Sequence, residues 1–215
     1  MIKVEKIETW GFEHAIRGMR NPMNSWDKSD SEWRIYTPEY PHLSEAKYEI
    51  GKNDLDLMKR LYKAGTEHRK YLRQIFVSMD IVAPDYWFKE FSTYRIGVTE
   101  NSTSTMHCIA KKKFELDDFS HEHLYDVQRQ KLRDLIEELN FSRGCYLKTK
   151  SKDDWWQMIQ LLPMSYNYRR TVTMNYENVV TIIKQRTGHK LTEWGDFCAE
   201  LNKLPYVKEI IGEQP

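Results

Sequence analysis

Residues 169–186, RRTVTMNYENVVTIIKQR, place the tightest constraint on the fold, because they describe a strand that runs into a helix with no loop between. Residues 169–174 read as a strand, and Asn175 is a natural N-cap whose side-chain oxygen can accept from the free N–H groups of a first turn. Residues 176–186 then carry Val179, Ile182 and Ile183 at helical spacing and end on Arg186. A helix attached directly to a strand has to bury its apolar stripe against a sheet, which is a mixed α/β arrangement.

The rest of the chain agrees with that class, with more helix than strand. Residues 2–8 (IKVEKIE) alternate as a half-buried strand does, and residues 71–81 place Ile75, Val77, Met79 and Ile81 on one side of a second. Between them, residues 21–52 combine Asn21-Pro22, Thr37-Pro38, Tyr40-Pro41 and Gly51 with Trp26, Trp33 and Tyr36; this predicts a loop insertion with aromatic anchors. A helix capped by Asn53 or Asp54 carries Leu55, Met58, Leu61 and Tyr62 and stops at Gly65. Pro84 opens a short aromatic helix with Trp87, Phe88 and Phe91, ending near Tyr94 or Arg95. Residues 97–107 (GVTENSTSTMH) are hydroxyl-rich and predict a loop. The longest helix is expected from Asp117 to Asn140, another from Asp153-Asp154 with Trp155 and Trp156, and a last one over 191–203. No linker divides the chain, so a single domain over 1–215 is expected.

Charge and cysteine usage narrow the function. With 33 Lys+Arg against 32 Asp+Glu, the chain is not a nucleic-acid binder that works by bulk charge. No stretch reaches the ~18 apolar residues of a membrane helix, and MIKVEKIETWGFEH is not the pattern of a signal peptide. Cys108, Cys145 and Cys198 are odd in number and far apart, as expected of reduced thiols in a cytoplasmic protein. Seven Trp and thirteen Tyr in a chain with 30% charged residues point to rings committed to a site or an interface.

The phosphate-loop, dinucleotide and nucleophile-elbow patterns are missing, as is HExxH. His121-Glu122-His123 is read as a solvated helix start, so no metal site is expected. Three segments stand out. Glu67-His68-Arg69 follows a helix-ending glycine, and Tyr94 to Asn101 (YRIGVTEN) runs from a helix end into polar sequence. Arg170 to Asn175 (RTVTMN) is followed one helix later by Arg186. An Arg at a helix end and an Asn at a helix start suit recognition of phosphate, carboxylate or a flavin edge.

In order and spacing these segments resemble the flavin-dependent thymidylate synthases, the ThyX type. Leu162 to Trp194 (LPMSYNYRRTVTMNYENVVTIIKQRTGHKLTEW) is similar to the C-terminal half of that family: a leucine-proline start, a strand ending V-T-M-N, a helix ending L-R (here Gln185-Arg186) and a tryptophan helix (Glu193-Trp194). Leu57 to Gly65 followed by Glu67-His68 resembles the family's E-H element, and Trp87-Phe88 with Arg95-Ile96-Gly97 resembles its R-H-R helix. The similarity covers 57–107 and 160–200. Phe12-Glu13-His14-Ala15 repeats family letters too early in the chain and is treated as coincidence. Of R-H-R, the register Thr93-Tyr94-Arg95 keeps the last Arg, and Glu100-Asn101, Thr103 and Thr105 stand for the N-E, Ser and Arg that follow; Glu177 takes a place often held by Arg.

The resemblance implies a mixed sheet with flanking helices and a homotetramer with shared sites. It also implies FAD as cofactor, a reduced folate and NADPH as further participants, and one-carbon transfer to C5 of a dUMP-like pyrimidine deoxynucleotide. By correspondence Arg186 holds and polarises the pyrimidine, and Thr103 and Thr105 lie on the nucleotide. His68, Glu100, Asn101 and Asn175 fall to the flavin, and Arg95 to flavin or folate. A small divergent synthase of this kind is at home in a phage genome. The alternative reading is a catalytically inactive ThyX fold that binds a nucleotide or a protein partner, with the Trp-rich segments 26–36 and 155–156 as anchors.

Overall fold

Strand alternation decides which faces of the sheet are wet. In the computed structural model, which describes residues 1–37 and 45–212, strand β4 (Phe76–Pro84) pairs antiparallel with β6 (Asn167–Asn175) over its full length. Val77, Met79, Ile81 and Ala83 of β4 and Val172 and Met174 of β6 point to one side and are buried. The opposite side is polar: Thr173 donates to Ser78 at 3.1 Å and Thr171 to Asp80 at 2.7 Å. β1 (Lys3–Trp10) and β5 (Val98–Ser102) complete an antiparallel sheet of order β1-β4-β6-β5.

Helices cover the apolar face. α1 (Phe12–Arg20) follows β1 through Gly11, whose φ of 91° only glycine adopts at low cost. α7 (Tyr176–Arg186) continues β6 directly, as expected, and buries Val179, Val180, Ile182 and Ile183. α3 (Asp85–Phe91) supplies Trp87, Phe88 and Phe91, and α8 (Thr192–Leu201) supplies Trp194 and Phe197. These five rings form one buried cluster, with Trp87 and Trp194 centroids 4.7 Å apart. α2 (Lys52–Lys63) and α9 (Val207–Ile211) pack on each other, and the long α5 (Asp126–Thr149) with α6 (Lys152–Leu161) builds a second apolar cluster around Phe119, Leu139 and Met158. Among the described residues no helix is long and apolar enough to cross a membrane.

Several local expectations need correction. Residues 21–52 are not a loop throughout: β2 (Glu32–Tyr36) and β3 (Glu45–Glu49) pair as a two-stranded sheet, while Pro38, Tyr40 and Pro41 lie outside the described residues. Residues 97–107 hold β5 and a short helix α4 (Thr105–Cys108). A polar run becomes a strand because the free edge of β6 pairs with its backbone, which overrides weak propensity. The long helix begins at Asp126, since a turn at Leu116–Asp118 first carries Phe119 into the core, where it is 1% exposed. Asn53 and Asp54 do not cap α2; the Asp30 carboxylate accepts from both backbone N–H groups, at 2.9 and 3.1 Å.

Candidate functional site

Helix α7 organises two of the three places where the candidate residues lie. At its C-terminal end Arg186 is held from three sides. Its Nε donates to the Tyr94 hydroxyl at 2.9 Å, Nη1 donates to Glu90 Oε2 at 2.9 Å, and the guanidinium lies 4.4 Å from the centre of the Trp194 ring. The same Glu90 oxygen accepts from Trp194 Nε1 at 2.8 Å and lies 3.4 Å from His189 Nε2. Arg186 is thus fixed in orientation, and its charge is countered by Glu90. The pair offers planar N–H donors beside a carboxylate acceptor, which suits the edge of a neutral heterocycle.

At the N-terminal end Asn175 caps the helix as the sequence predicts. Its Oδ1 accepts from Asn178 N and Asn178 Nδ2, each at 3.1 Å, and Asn178 Nδ2 also donates to the Gly97 carbonyl at 3.2 Å. Gly97 lets the chain pass this close: its φ is 73°, and a Cβ there would lie 2.5 Å from Asn175 Nδ2. Among the described residues that Nδ2 has no protein acceptor, so it is an available donor. Arg95, in the turn that runs back along α7 from Tyr94 to Gly97, is exposed and has no carboxylate partner among the described residues. His68 is exposed on the other flank, beside a hollow of about 610 Å³ lined by Met19, Pro22, Leu61 and Tyr71. Between the flanks Arg69 pairs with Glu177, Nη2 to Oε1 at 2.7 Å with Nε 3.1 Å from both oxygens. The cation that the sequence lacks at 177 is therefore present from another element, but already neutralised.

The third place lies at the far end of β5. Thr103 and Thr105 line a cleft of about 420 Å³ with Cys108, Lys112, Tyr166 and Arg169. Lys112 and Arg169 supply cations there that sequence reasoning missed; they bond Asp118 at 2.8 Å and Asp80 at 3.1 Å respectively. Asn101 is exposed. Glu100 instead faces Arg170 at 2.7 Å, and Arg170 lies 4.0 Å from the Phe88 ring centre, so Glu100 is committed to an ion pair across the sheet. Of the two His beside Glu122, His121 bonds the Phe119 carbonyl at 2.8 Å and His123 the Thr192 hydroxyl at 3.1 Å.

One chain does not bring these places together. Arg186 lies eleven positions after Asn175 along α7, about 16 Å at the helical rise, and the length of β5 puts Thr103 about as far from Gly97. Of the partners Arg69, Glu90 and Lys112, Arg69 stands in a segment the sequence singles out, and Glu90 had one signal, a charge opposite to Arg186 at a position the resemblance already brings close; Lys112 lies outside the similar tracts.

No family model and no curated protein sequence matches the chain. Solved structures do. A flavin-dependent thymidylate synthase ThyX from Helicobacter pylori, complexed with FAD and dUMP, superposes with a TM-score of 0.68 at 18% identity, covering 98% of each chain. A second structure of thymidylate synthase X from Helicobacter pylori, with FAD and dUMP, gives 0.68 at 17% identity over 99% of this chain and 98% of that one. The chain has the ThyX-like fold, mixed α/β with more helix than strand.

Proposed function

We propose that the chain is a divergent flavin-dependent enzyme that transfers a one-carbon unit to C5 of a dUMP-like pyrimidine deoxynucleotide, acting as a homo-oligomer with sites shared between copies. The observation that carries this reading is that a fold shared with structures holding FAD and dUMP places Asn175 and Arg186 at the two ends of one helix. Their separation within one chain, with Thr103 and Thr105 further off, supports sites completed by a neighbouring copy.

The residues present fit a flavin. The Asn175 amide N–H and the Arg95 guanidinium, neither with an acceptor partner among the described residues, suit a polar ring edge and a phosphate respectively, and His68 lies on the flank of the same helix end. When bound, FAD would supply the hydride chemistry, with NADPH as reductant and a reduced folate as carbon source in this reading. The chain's own residues bind and orient. Arg186, locked by Tyr94 and Trp194, directs its N–H groups at a pyrimidine carbonyl and stabilises charge that develops there. Glu90 tempers that charge and gives the base edge an acceptor. Thr103, Thr105 and Lys112 line a cleft suited to a nucleotide phosphate.

A second reading, nucleotide binding without redox chemistry, is favoured by two observations: Arg186 is neutralised by Glu90, and Thr93-Tyr94 replace two cationic residues of the signature. Purified protein separates the two. Bound oxidised flavin gives a yellow protein that gains stability from dUMP, about 2.7 kcal/mol at a hundredfold excess over Kd. A colourless protein that FAD does not stabilise ends the enzyme reading, and continued stabilisation by dUMP then supports binding alone. In either reading Arg186→Ala abolishes the dUMP effect while the fold persists; unchanged dUMP binding would refute the place given to Arg186.

A further inference from the structure

A third cavity lies between α1 and the β2–β3 sheet, and nothing above uses it. It measures about 480 Å³ and is walled by Trp10, Phe12, Trp33, Tyr48 and Tyr206. Its rings meet as corners: Trp33 against Tyr48 at 62° with centroids 5.5 Å apart, and Phe12 against Tyr206 at 69° and 5.7 Å. Trp10 does stack on a ring, but on Phe76, which is not part of the wall. Corners without parallel plates suit a compact rounded guest better than a flat heterocycle sandwiched between ring faces.

The charge around the cavity says which guest. Glu13, Glu45, Lys47 and His14 line it, so among the described residues two carboxylates face one lysine ammonium there. Glu13 accepts from Trp33 Nε1 at 3.3 Å, which aims the indole and leaves the carboxylate beside the ring. Elsewhere the protein covers ring faces with its own cations: Arg69 over Tyr62, Arg170 over Phe88, Arg186 over Tyr94 and Trp194, Lys150 over Tyr146. Among the described residues none lies over Trp10, Trp33, Tyr48 or Tyr206. One wall is also held against a backbone cost. Tyr206 adopts φ 61°, a conformation few side chains accept, while its hydroxyl accepts from Ile50 N at 3.1 Å. Such strain persists where the surroundings over-determine it, and clusters at ligand clamps.

We propose that this cavity is an aromatic cage for an organic cation, an alkylated ammonium group, bound by the exposed faces of Trp10, Trp33 and Tyr48 with Glu13 and Glu45 as counter-charges. The group could belong to a free small molecule or to a modified lysine side chain, and the chemistry is shared. Calorimetric titration of the full chain with tetramethylammonium chloride, with tert-butanol as its neutral isostere and with a short acetylated peptide carrying one trimethyl-lysine tests it. The expected result is saturable binding of tetramethylammonium, and binding of the neutral isostere at least about tenfold weaker, as loss of a cation–π contact implies. Trp33→Leu should weaken the cation roughly tenfold and Glu45→Gln by a smaller factor; both positions are exposed, so the fold survives. Tighter binding of the peptide assigns the guest to a side chain, and tighter binding of the free ion to a small molecule. Equal affinity for the neutral isostere, no binding of either cation, or indifference to Trp33→Leu overturns the proposal.

Discussion

Removing one carboxylate, Asp54, should weaken the fold more than any surface change near the candidate sites. Asp54 is 0% exposed and Arg20 is 4% exposed, joined Nε to Oδ1 at 2.6 Å. The other Asp54 oxygen accepts from the hydroxyls of Ser29 at 2.7 Å and Ser31 at 2.6 Å, and from the backbone N–H groups of Asp30 and Ser31 at 3.1 Å each. Asp54→Ala therefore leaves a buried guanidinium with only Ser25 as partner among the described residues and removes the acceptor of four further donors. Breaking a buried pair from one side costs about 3–5 kcal/mol. For a chain of this length each kcal/mol moves Tm by roughly 2–4 °C, so a loss of about 4 kcal/mol lowers Tm by about 8–16 °C. Urea and thermal melts of wild type, Asp54→Ala, Arg20→Met and the double variant measure it. The double variant should recover at least about 1 kcal/mol relative to the sum of the singles, because the orphaned charge is gone. The acid limb offers an independent check. Burial pushes the Asp54 carboxyl up, but the Ser31 and Ser29 hydroxyls and Arg20 pull it further down, leaving it below the ordinary aspartate range. A lowered folded value contributes stability above the unfolded value of about 3.9, lost as pH falls through the folded one. Asp54→Ala should flatten that part of the stability–pH curve. A loss under about 1 kcal/mol with additive singles would refute the assignment of Asp54 as the lock between α1, α2 and the β2–β3 segment.

Two further outcomes rest on separate features. Gly97→Ala should cost about 1–3 kcal/mol, since it combines a φ of 73° with a Cβ 2.5 Å from Asn175 Nδ2; a neutral melt would show that the turn over α7 relaxes freely. Burial pushes the Cys198 thiol up to about 11, only partly offset by Arg186, whereas Cys108 and Cys145 are partly exposed. Thiol titration of native protein at pH 8 should therefore count two accessible cysteines, with the third reacting after unfolding; three equal rates would contradict the packing of α8.

What was legible in the sequence was whatever is decided locally. The junction at Asn175 is one case, because cap, strand and helix each follow from neighbours a few residues away, and the structure reproduces it. The core face of β4 is another, since alternation alone selects Val77, Met79 and Ile81. Elements decided at a distance were not legible. VTENS is a strand only because β6 presents an edge to it, and α2 is capped by Asp30, more than twenty residues upstream. The same division holds at the candidate site. Asn175 and Arg186 could be singled out from their own segment, but the charge state around Arg186 depends on Glu90, 96 residues earlier in the chain. Residue type suggests which groups can bind an anion; only the fold tells which of them are already satisfied.

Two arginines, Arg69 and Arg95, flank the N-terminal end of α7 and differ in whether they are already paired. The near-neutral composition reappears as local pairing: Arg186 with Glu90, Arg69 with Glu177, Arg170 with Glu100, Arg169 with Asp80. Arg95 has no such partner among the described residues, so its charge is available to an anionic ligand without first breaking an ion pair. A hydrogen bond to a charged group contributes about 1.5–3 kcal/mol, so Arg95→Ala should weaken FAD or an isolated diphosphate by about 10- to 100-fold while leaving Tm nearly unchanged. Arg69→Ala should do the reverse. Its guanidinium is 19% exposed and spent on Glu177, so its loss frees a carboxylate at the first turn of α7, lowers stability and changes ligand affinity only modestly. Paired titrations of both variants, each with its own melt, decide the matter. If Arg69→Ala costs as much affinity as Arg95→Ala, then ligand binding breaks the Arg69–Glu177 pair, and availability in the free chain is not what selects the cation.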